Sequence, residues 1–200
     1  MKIFLVRHVE TVGNVEKRFN GVSESAYTKR GESMQDQLLQ TLVKWHQKEH
    51  FDAIYASPTL RALKTAEKLA QLTQLPLTQD ERLREFNFGI FEGLTAEEAE
   101  QKAPSVWKNW MKDYDRFTLP GGDHTQDYQQ RIAEFIQTLP QDKTSVILTH
   151  GGTLRTMLQQ LLDLQEDQKW HFDIALGSIV CIEKIENYGI LKTLFTPEYP

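Results

Sequence analysis

Lys2-Ile3-Phe4-Leu5-Val6-Arg7-His8 is the stretch from which the fold follows. Its short apolar run, with β-branched and aromatic members, predicts a buried strand that opens the chain. Arg7 and His8 then fall at the C-terminal end of that strand, where open α/β sheets bind their ligands. An imidazole beside a permanent cation suits an anion there, above all a phosphate that the ring can attack. A second apolar run, Thr144-Ser145-Val146-Ile147-Leu148-Thr149, ends on His150, and Gly151-Gly152 follow at once. Two strand ends of this kind in one chain predict a catalytic centre.

Outward from these runs, strand and helix signals alternate, the pattern of a mostly parallel sheet covered by helices. A polar loop over 10–30 precedes a helix from about Glu32 to Lys48, which carries Met34, Leu38, Leu42 and Trp45 at helical spacing. Strands are expected over 51–56 and 78–83. Ser57-Pro58 reads as a helix start, with Ser as cap and Pro in the first position. Residues 95–115 read as helical, broken at Pro104, and about 123–139 as a further helix. The chain ends in a predicted hairpin, 177–185 with 190–195, turned at Asn187-Tyr188-Gly189. The expected architecture is a three-layer α/β/α domain spanning residues 1–200, with 93–127 as a small helical cap.

The chain has 200 residues, a net charge of −5 and one cysteine. That length suits one domain with a real core. The acidic balance argues against nucleic acid as a bulk partner, because binding the phosphate backbone needs a cationic face. It leaves room for a small phosphorylated substrate, which feels only the local field. No apolar stretch approaches the roughly 20 residues that cross a bilayer, and no signal-peptide pattern opens the sequence. Cys181 alone offers no disulfide and no zinc cluster, and it reads as a buried small hydrophobe. These features fit a cytoplasmic protein. His46, His50, His124 and His171 lack metal-ligand spacing and read as structural.

A phosphate monoester asks a site to neutralise its oxygens, attack in line and protonate the leaving oxygen. Arg7 and Arg61 suit the first task through their planar forks. Asn14 adds a neutral donor, and the glycines after His150 let backbone N–H groups approach at a helix start.

The motifs then become specific in combination. Arg7-His8-Val9-Glu10-Thr11 with Asn14, Arg18-Phe19-Asn20-Gly21 and Thr28-Lys29-Arg30-Gly31 come first. Ser57-Pro58-Thr59-Leu60-Arg61-Ala62, Leu83-Arg84-Glu85, Phe91-Glu92-Gly93, Pro120-Gly121-Gly122 and Thr149-His150-Gly151-Gly152 follow in order. Together they resemble the histidine phosphatase (phosphoglycerate mutase-like) superfamily over nearly the whole chain. The likeness is to its short phosphatase branch, which includes α-ribazole and broad-specificity phosphatases. The resemblance implies a metal- and cofactor-independent phosphomonoesterase acting on a small metabolite. It makes His8 the nucleophile that becomes phosphohistidine and Glu85 the general acid and base. Arg7, Arg61 and His150 would hold the phosphoryl oxygens, His150 as a cation, with Asn14 and the Gly151 N–H assisting. Asn20 and Gly21 would line the substrate site. Val9 stands where the family has Gly, Asn20 where it has Gln, Tyr27 where it has Leu, Phe91 where it has Trp, and Asp123-His124 where it has Glu-Ser. A phosphoglycerate mutase and a non-catalytic phospho-ligand module remain alternatives. An α/β-hydrolase esterase does not, because no nucleophile elbow surrounds Ser57.

Overall fold

A computed structural model describes residues 1–114, 116–186 and 188–199. Six strands form one mixed sheet: β1 (Lys2–Arg7), β2 (Ala53–Ala56), β3 (Leu77–Gln79), β4 (Thr144–Thr149), β5 (Ile179–Ile185) and β6 (Tyr188–Phe195). Their spatial order is β3-β2-β4-β1-β5-β6. The first four are mutually parallel, and β5 and β6 add an antiparallel edge beside β1.

The alternation of side chains along β1 explains the layers, since successive residues of a strand point to opposite faces. Phe4 and Val6 join one buried cluster with Met34, Leu38 and Leu42 of α2 (Lys29–Glu49) and Leu69 of α3 (Leu60–Thr73). Ile3 and Leu5 join a second with Ile132 and Phe135 of α6 (Thr125–Thr138) and Leu154 and Leu158 of α7 (Gly151–Leu161). Helices therefore cover both faces, as expected. The remaining helices are α1 (Val12–Val15), α4 (Ala96–Lys102) and α5 (Pro104–Lys112). Around α4 and α5 a third, separate cluster packs Phe91, Ala99, Trp110 and Leu119 with Phe19, Phe88 and Trp107.

The helix that follows β1 and the helix that follows β4 lie on opposite faces, although β1 and β4 are neighbours. That is a topological switch point, and it opens a crevice at the carboxyl ends of these two strands.

Several boundaries differ from expectation. The helix expected from Glu32 begins at Lys29, because Thr28 supplies the cap by accepting from the Gly31 N–H at 2.9 Å. The strand expected over 78–83 ends at Gln79, and a 3-10 turn over Glu81–Leu83 follows. Ser57-Pro58 is not the start of α3: Thr59 holds the cap position and Leu60 is the first helical residue. The first-turn donor is satisfied from elsewhere, since the Leu60 N–H donates to the Glu24 carboxylate at 3.1–3.2 Å. Of the predicted hairpin turn, Asn187 lies outside the described residues, as does Asp115 at the end of the 95–115 stretch. Cys181 is buried, and burial pushes its thiol up to about 11. Among the described residues no helix is long and apolar enough to cross a membrane.

Leu5 is fully buried between the sheet and its α6–α7 cover. Leu5→Ala is expected to cost about 2–5 kcal/mol in urea unfolding, the usual range for a core leucine. A loss under about 1 kcal/mol would show that this face is not close-packed.

Candidate active site

Register brings the two histidines together. Arg7 pairs with Thr149 across the β1–β4 ladder, so the next residues on each strand, His8 and His150, leave the sheet side by side. The His8 N–H donates to the Thr149 carbonyl at 3.0 Å, and the two ring centroids are 5.3 Å apart. Both residues are almost completely buried.

Each ring has a defined tautomer. His8 Nδ1 lies 2.8 Å from the Val9 carbonyl, which has no proton to give, so Nδ1 carries the hydrogen. Nε2 of His8 is left with its lone pair. His150 is arranged the other way. Arg61 Nε–H donates to His150 Nδ1 at 3.2 Å, which makes Nδ1 an acceptor. His150 Nε2–H then faces Ser57 Oγ at 2.8 Å and Thr59 Oγ1 at 3.1 Å.

The surroundings favour the neutral form of both imidazoles. Burial, followed by the nearby Arg61 and Arg7 charges, pushes His8 well below its ordinary value. Burial and then Arg61 do the same to His150, with His8 and Arg7 adding to it. The resemblance implies a cationic His150 in the working site, whereas the protein groups around it favour the neutral ring. The buried Arg61 and the partly buried Arg7 already bring two guanidiniums to the space, and a third positive charge would be costly there.

Arg61 is only 1% exposed, sits in the second position of α3, and spends most of its fork on the protein. Nη1 donates to the Ser23 carbonyl at 2.7 Å, and Nη2 to the carbonyls of Asn20 and Gly21 at 3.0 and 2.5 Å. Burial lowers its pKa and that of Arg7. Arg7 differs in being under-used: Nη1 reaches the Ile174 carbonyl at 2.5 Å, but Nε is buried without a partner. Its guanidinium passes close to Gly151, at the start of α7. Asn14 turns its amide oxygen to the Thr11 N–H and hydroxyl, at 3.0 and 2.8 Å, which frees its amide nitrogen for a ligand.

Glu85 occupies the N-terminus of α7, where helix N–H groups and the dipole favour an anion. Oε2 accepts from the Gly152 N–H at 2.7 Å, and Oε1 from Phe86 N–H, Thr153 N–H and the Tyr128 hydroxyl at 3.0, 3.2 and 2.8 Å. Gly152 has to be glycine for this: a Cβ there would lie 2.5 Å from Glu85 Oε1. The segment that presents Glu85 is clamped by Arg131, which donates to the carbonyls of Arg82, Arg84 and Glu85 at 2.7, 2.8 and 3.1 Å. Burial and then the Glu85 charge push the Tyr128 hydroxyl well above its ordinary value, so it stays protonated.

These contacts join His8, His150, Arg7, Arg61, Gly151, Glu85, Asn20 and Gly21 around one crevice, while the side-chain contacts of Asn14 are to Thr11; the structure adds other residues. Ser57, read from sequence as a helix cap, instead holds His150. Glu92, quoted only as part of a motif, accepts from the N–H groups of Gly21, Val22 and Ser23 at 3.1–3.2 Å and from Phe88 N–H at 2.9 Å. It ties the Asn20–Ser23 loop to the Phe88 turn. Gly21 fits because a Cβ would lie 1.9 Å from the Phe86 carbonyl. Arg131 and Arg155 left no sequence signal, since an arginine inside an amphipathic helix looks like any solvated charge. Beside Glu85 a cavity of about 160 Å³ opens, walled mainly by aromatic residues of the third cluster and its neighbours.

Residues 3–196 match the model of the histidine phosphatase superfamily (branch 1). Phosphoserine phosphatase 1 of Hydrogenobacter thermophilus is 28% identical, over 98% of this chain and 93% of that protein. A protein of Escherichia coli O1:K1 / APEC that is named for phosphoglycerate mutase, GpmB, is 31% identical over 82% of this chain and 76% of its own. The crystal structure of the α-ribazole phosphatase from Shigella flexneri superposes with a TM-score of 0.87 at 28% identity, covering 97% of this chain and 96% of that one.

The charge states generate a pH prediction. A histidine whose folded value lies below its unfolded one, ordinarily about 6.5, stays neutral in the native state while the unfolded chain takes up a proton. The stability contributed by a neutral His8 and His150 is present above that value and is lost as pH falls through it toward the folded value. The urea midpoint is expected to fall between pH 7 and pH 5, and to fall less in a His150→Asn variant. Equal pH slopes in the two proteins would contradict the neutral assignment.

Proposed function

The chain belongs to the histidine phosphatase superfamily (branch 1) and is a phosphoric monoester hydrolase, and from that premise we propose which of its atoms perform the reaction. His8 Nε2 attacks the phosphorus of a small phosphorylated metabolite. The observation that carries this assignment is the Nδ1–H bond to the Val9 carbonyl, which leaves Nε2 unprotonated in a buried ring that resists protonation.

The phosphoryl group sits above the β1 and β4 ends. The orphaned Arg7 Nε–H, the N–H of Gly151 and the amide nitrogen of Asn14 supply its donors. Arg61 adds charge from below and, through its bonds to Asn20, Gly21 and Ser23, shapes the loop around the group. His150, neutral and held by Ser57 and Thr59, adds no third positive charge. It fixes Arg61 against the site, a positioning role that replaces the cationic one expected from sequence.

Attack breaks the bond between phosphorus and the ester oxygen and forms the bond to His8 Nε2. The departing alkoxide takes a proton from Glu85 when that carboxyl is protonated. Glu85 as carboxylate then removes a proton from water, whose oxygen attacks the phosphohistidine, releasing inorganic phosphate and restoring His8. The carboxyl that reaches the leaving oxygen also borders the 160 Å³ cavity, so the alcohol portion of the ester lies there. Residues 93–127, with α4 and α5, act as a cap over this side of a single domain that spans the chain.

Acid quenching after exposure to a ³²P-labelled monoester is expected to leave label on His8, and His8→Ala to abolish both label and turnover. Glu85→Gln is expected to lower kcat/KM by about 10²–10⁴-fold on alkyl phosphates, the usual span for a lost general acid. The loss should be smaller on a nitrophenyl ester, whose leaving group needs no proton. Full activity in His8→Ala would overturn the assignment. Faster interconversion of phosphoglycerates than phosphate release would turn the reading toward the mutase suggested by GpmB.

A further inference from the structure

The cavity beside Glu85 has a chemistry of its own. Phe86, Phe88, Trp110, Tyr128 and Trp170 give it flat apolar walls. Those walls are braced against one another: Phe86 packs edge-on against Phe88 and Tyr128, and Phe88 against Trp110. At about 160 Å³ it is small beside the roughly 300–1,000 Å³ of sites for drug-sized ligands. One ring with a short substituent fills it.

Two cations enter this apolar box. Arg155 projects from α7, one turn beyond Gly151, and its guanidinium lies over the Trp170 ring at 5.4 Å. Nε donates to the Phe172 carbonyl at 3.3 Å and Nη1 to the Gly151 carbonyl at 3.4 Å. Both bonds are long, and Nη2 has no protein partner among the described residues. Lys169, 93% shielded from solvent, lies over the same indole at 5.7 Å, and its ammonium is 4.0 Å from Glu166. A guanidinium fixed by an indole and two carbonyls, with one nitrogen to spare, is prepared for an anion that is not part of the protein. Glu85 and Asp173 lie near enough to influence Arg155, as does the Arg7 guanidinium beside Gly151.

We propose that this cavity selects phosphate esters whose leaving alcohol combines a flat apolar body with a carboxylate, and that Arg155 reads the carboxylate. The inference rests on the placement of the leaving oxygen at Glu85. With the phosphoryl group over His8 and the ester oxygen at Glu85, the body of the alcohol lies among the aromatic walls, and a carboxylate on it meets Arg155, whose guanidinium stands beside Gly151 and the Arg7 guanidinium.

Calorimetric binding of two non-hydrolysable phosphonates separates this inference from the reaction itself. 4-(Phosphonomethyl)benzoate carries the carboxylate, and 4-(phosphonomethyl)benzamide puts a neutral amide of similar shape in its place. The wild-type protein is expected to bind the benzoate about ten-fold more tightly, the scale of a charge-assisted hydrogen bond. In Arg155→Met that preference is expected to shrink to about onefold, and in Arg155→Lys to be partly retained. Equal affinities in the wild-type protein, or a preference that survives Arg155→Met, would overturn the proposal. If Arg155→Met fails to fold, Arg155→Gln takes its place, with the same loss of preference expected and a retained preference counting against the proposal. The phosphonates report binding alone, so a preference seen here without labelling of His8 would overturn the catalytic assignment and not the subsite.

Discussion

The in-register parallel pairing of β1 with β4 is the constraint on which the rest depends. It sets Arg7 opposite Thr149 and so delivers His8 and His150 to the same point at the carboxyl end of the sheet. Each strand is held on both sides, β1 by β4 and β5, and β4 by β1 and β2. A one-residue slip would exchange the faces of every core side chain on β1, placing Ile3 and Leu5 where Phe4 and Val6 belong. The position of the nucleophile is therefore protected by the whole hydrophobic core, not by local contacts alone.

Charge is handled with the same economy. Arg61 is buried and Arg7 partly so, and the histidines' own burial favours the neutral form of both rings, so the two permanent cations supply the field for an anion. Glu85 balances them from the start of α7, held there by backbone donors at a glycine that leaves it room. The hydrogen bonds then assign separate work to chemically identical rings. A carbonyl acceptor at Nδ1 makes His8 a nucleophile, whereas a guanidinium donor at Nδ1 makes His150 a support. Neighbours, and not residue type, set these roles.

Much of this was legible in the sequence. The apolar runs that end on His8 and His150, the alternation of strand and helix, and the spacing of the motifs imply the sheet and its crevice. What stayed hidden depends on contacts between distant segments. Ser57-Pro58 has the local look of a helix start, yet Glu24 caps the first turn of α3 from 36 residues upstream in the chain and Ser57 turns to His150. Glu92 looks like one acidic residue among many until the Gly21–Ser23 N–H groups fold over it. The motif around His150 reveals neither the depth of its burial nor the Arg61 Nε–H beside it, the two features that favour a neutral ring. Val9, the unusual neighbour of His8, is fully buried and contributes a backbone carbonyl, a function that its side chain leaves intact.

Nitrogen-15 chemical shifts of the imidazole rings test the central claim most directly, because they report both protonation and tautomer. In the unliganded protein near pH 6, the account predicts two neutral rings of opposite tautomer, Nδ1–H for His8 and Nε2–H for His150. A cationic His150, or a His8 protonated at Nε2, would contradict it.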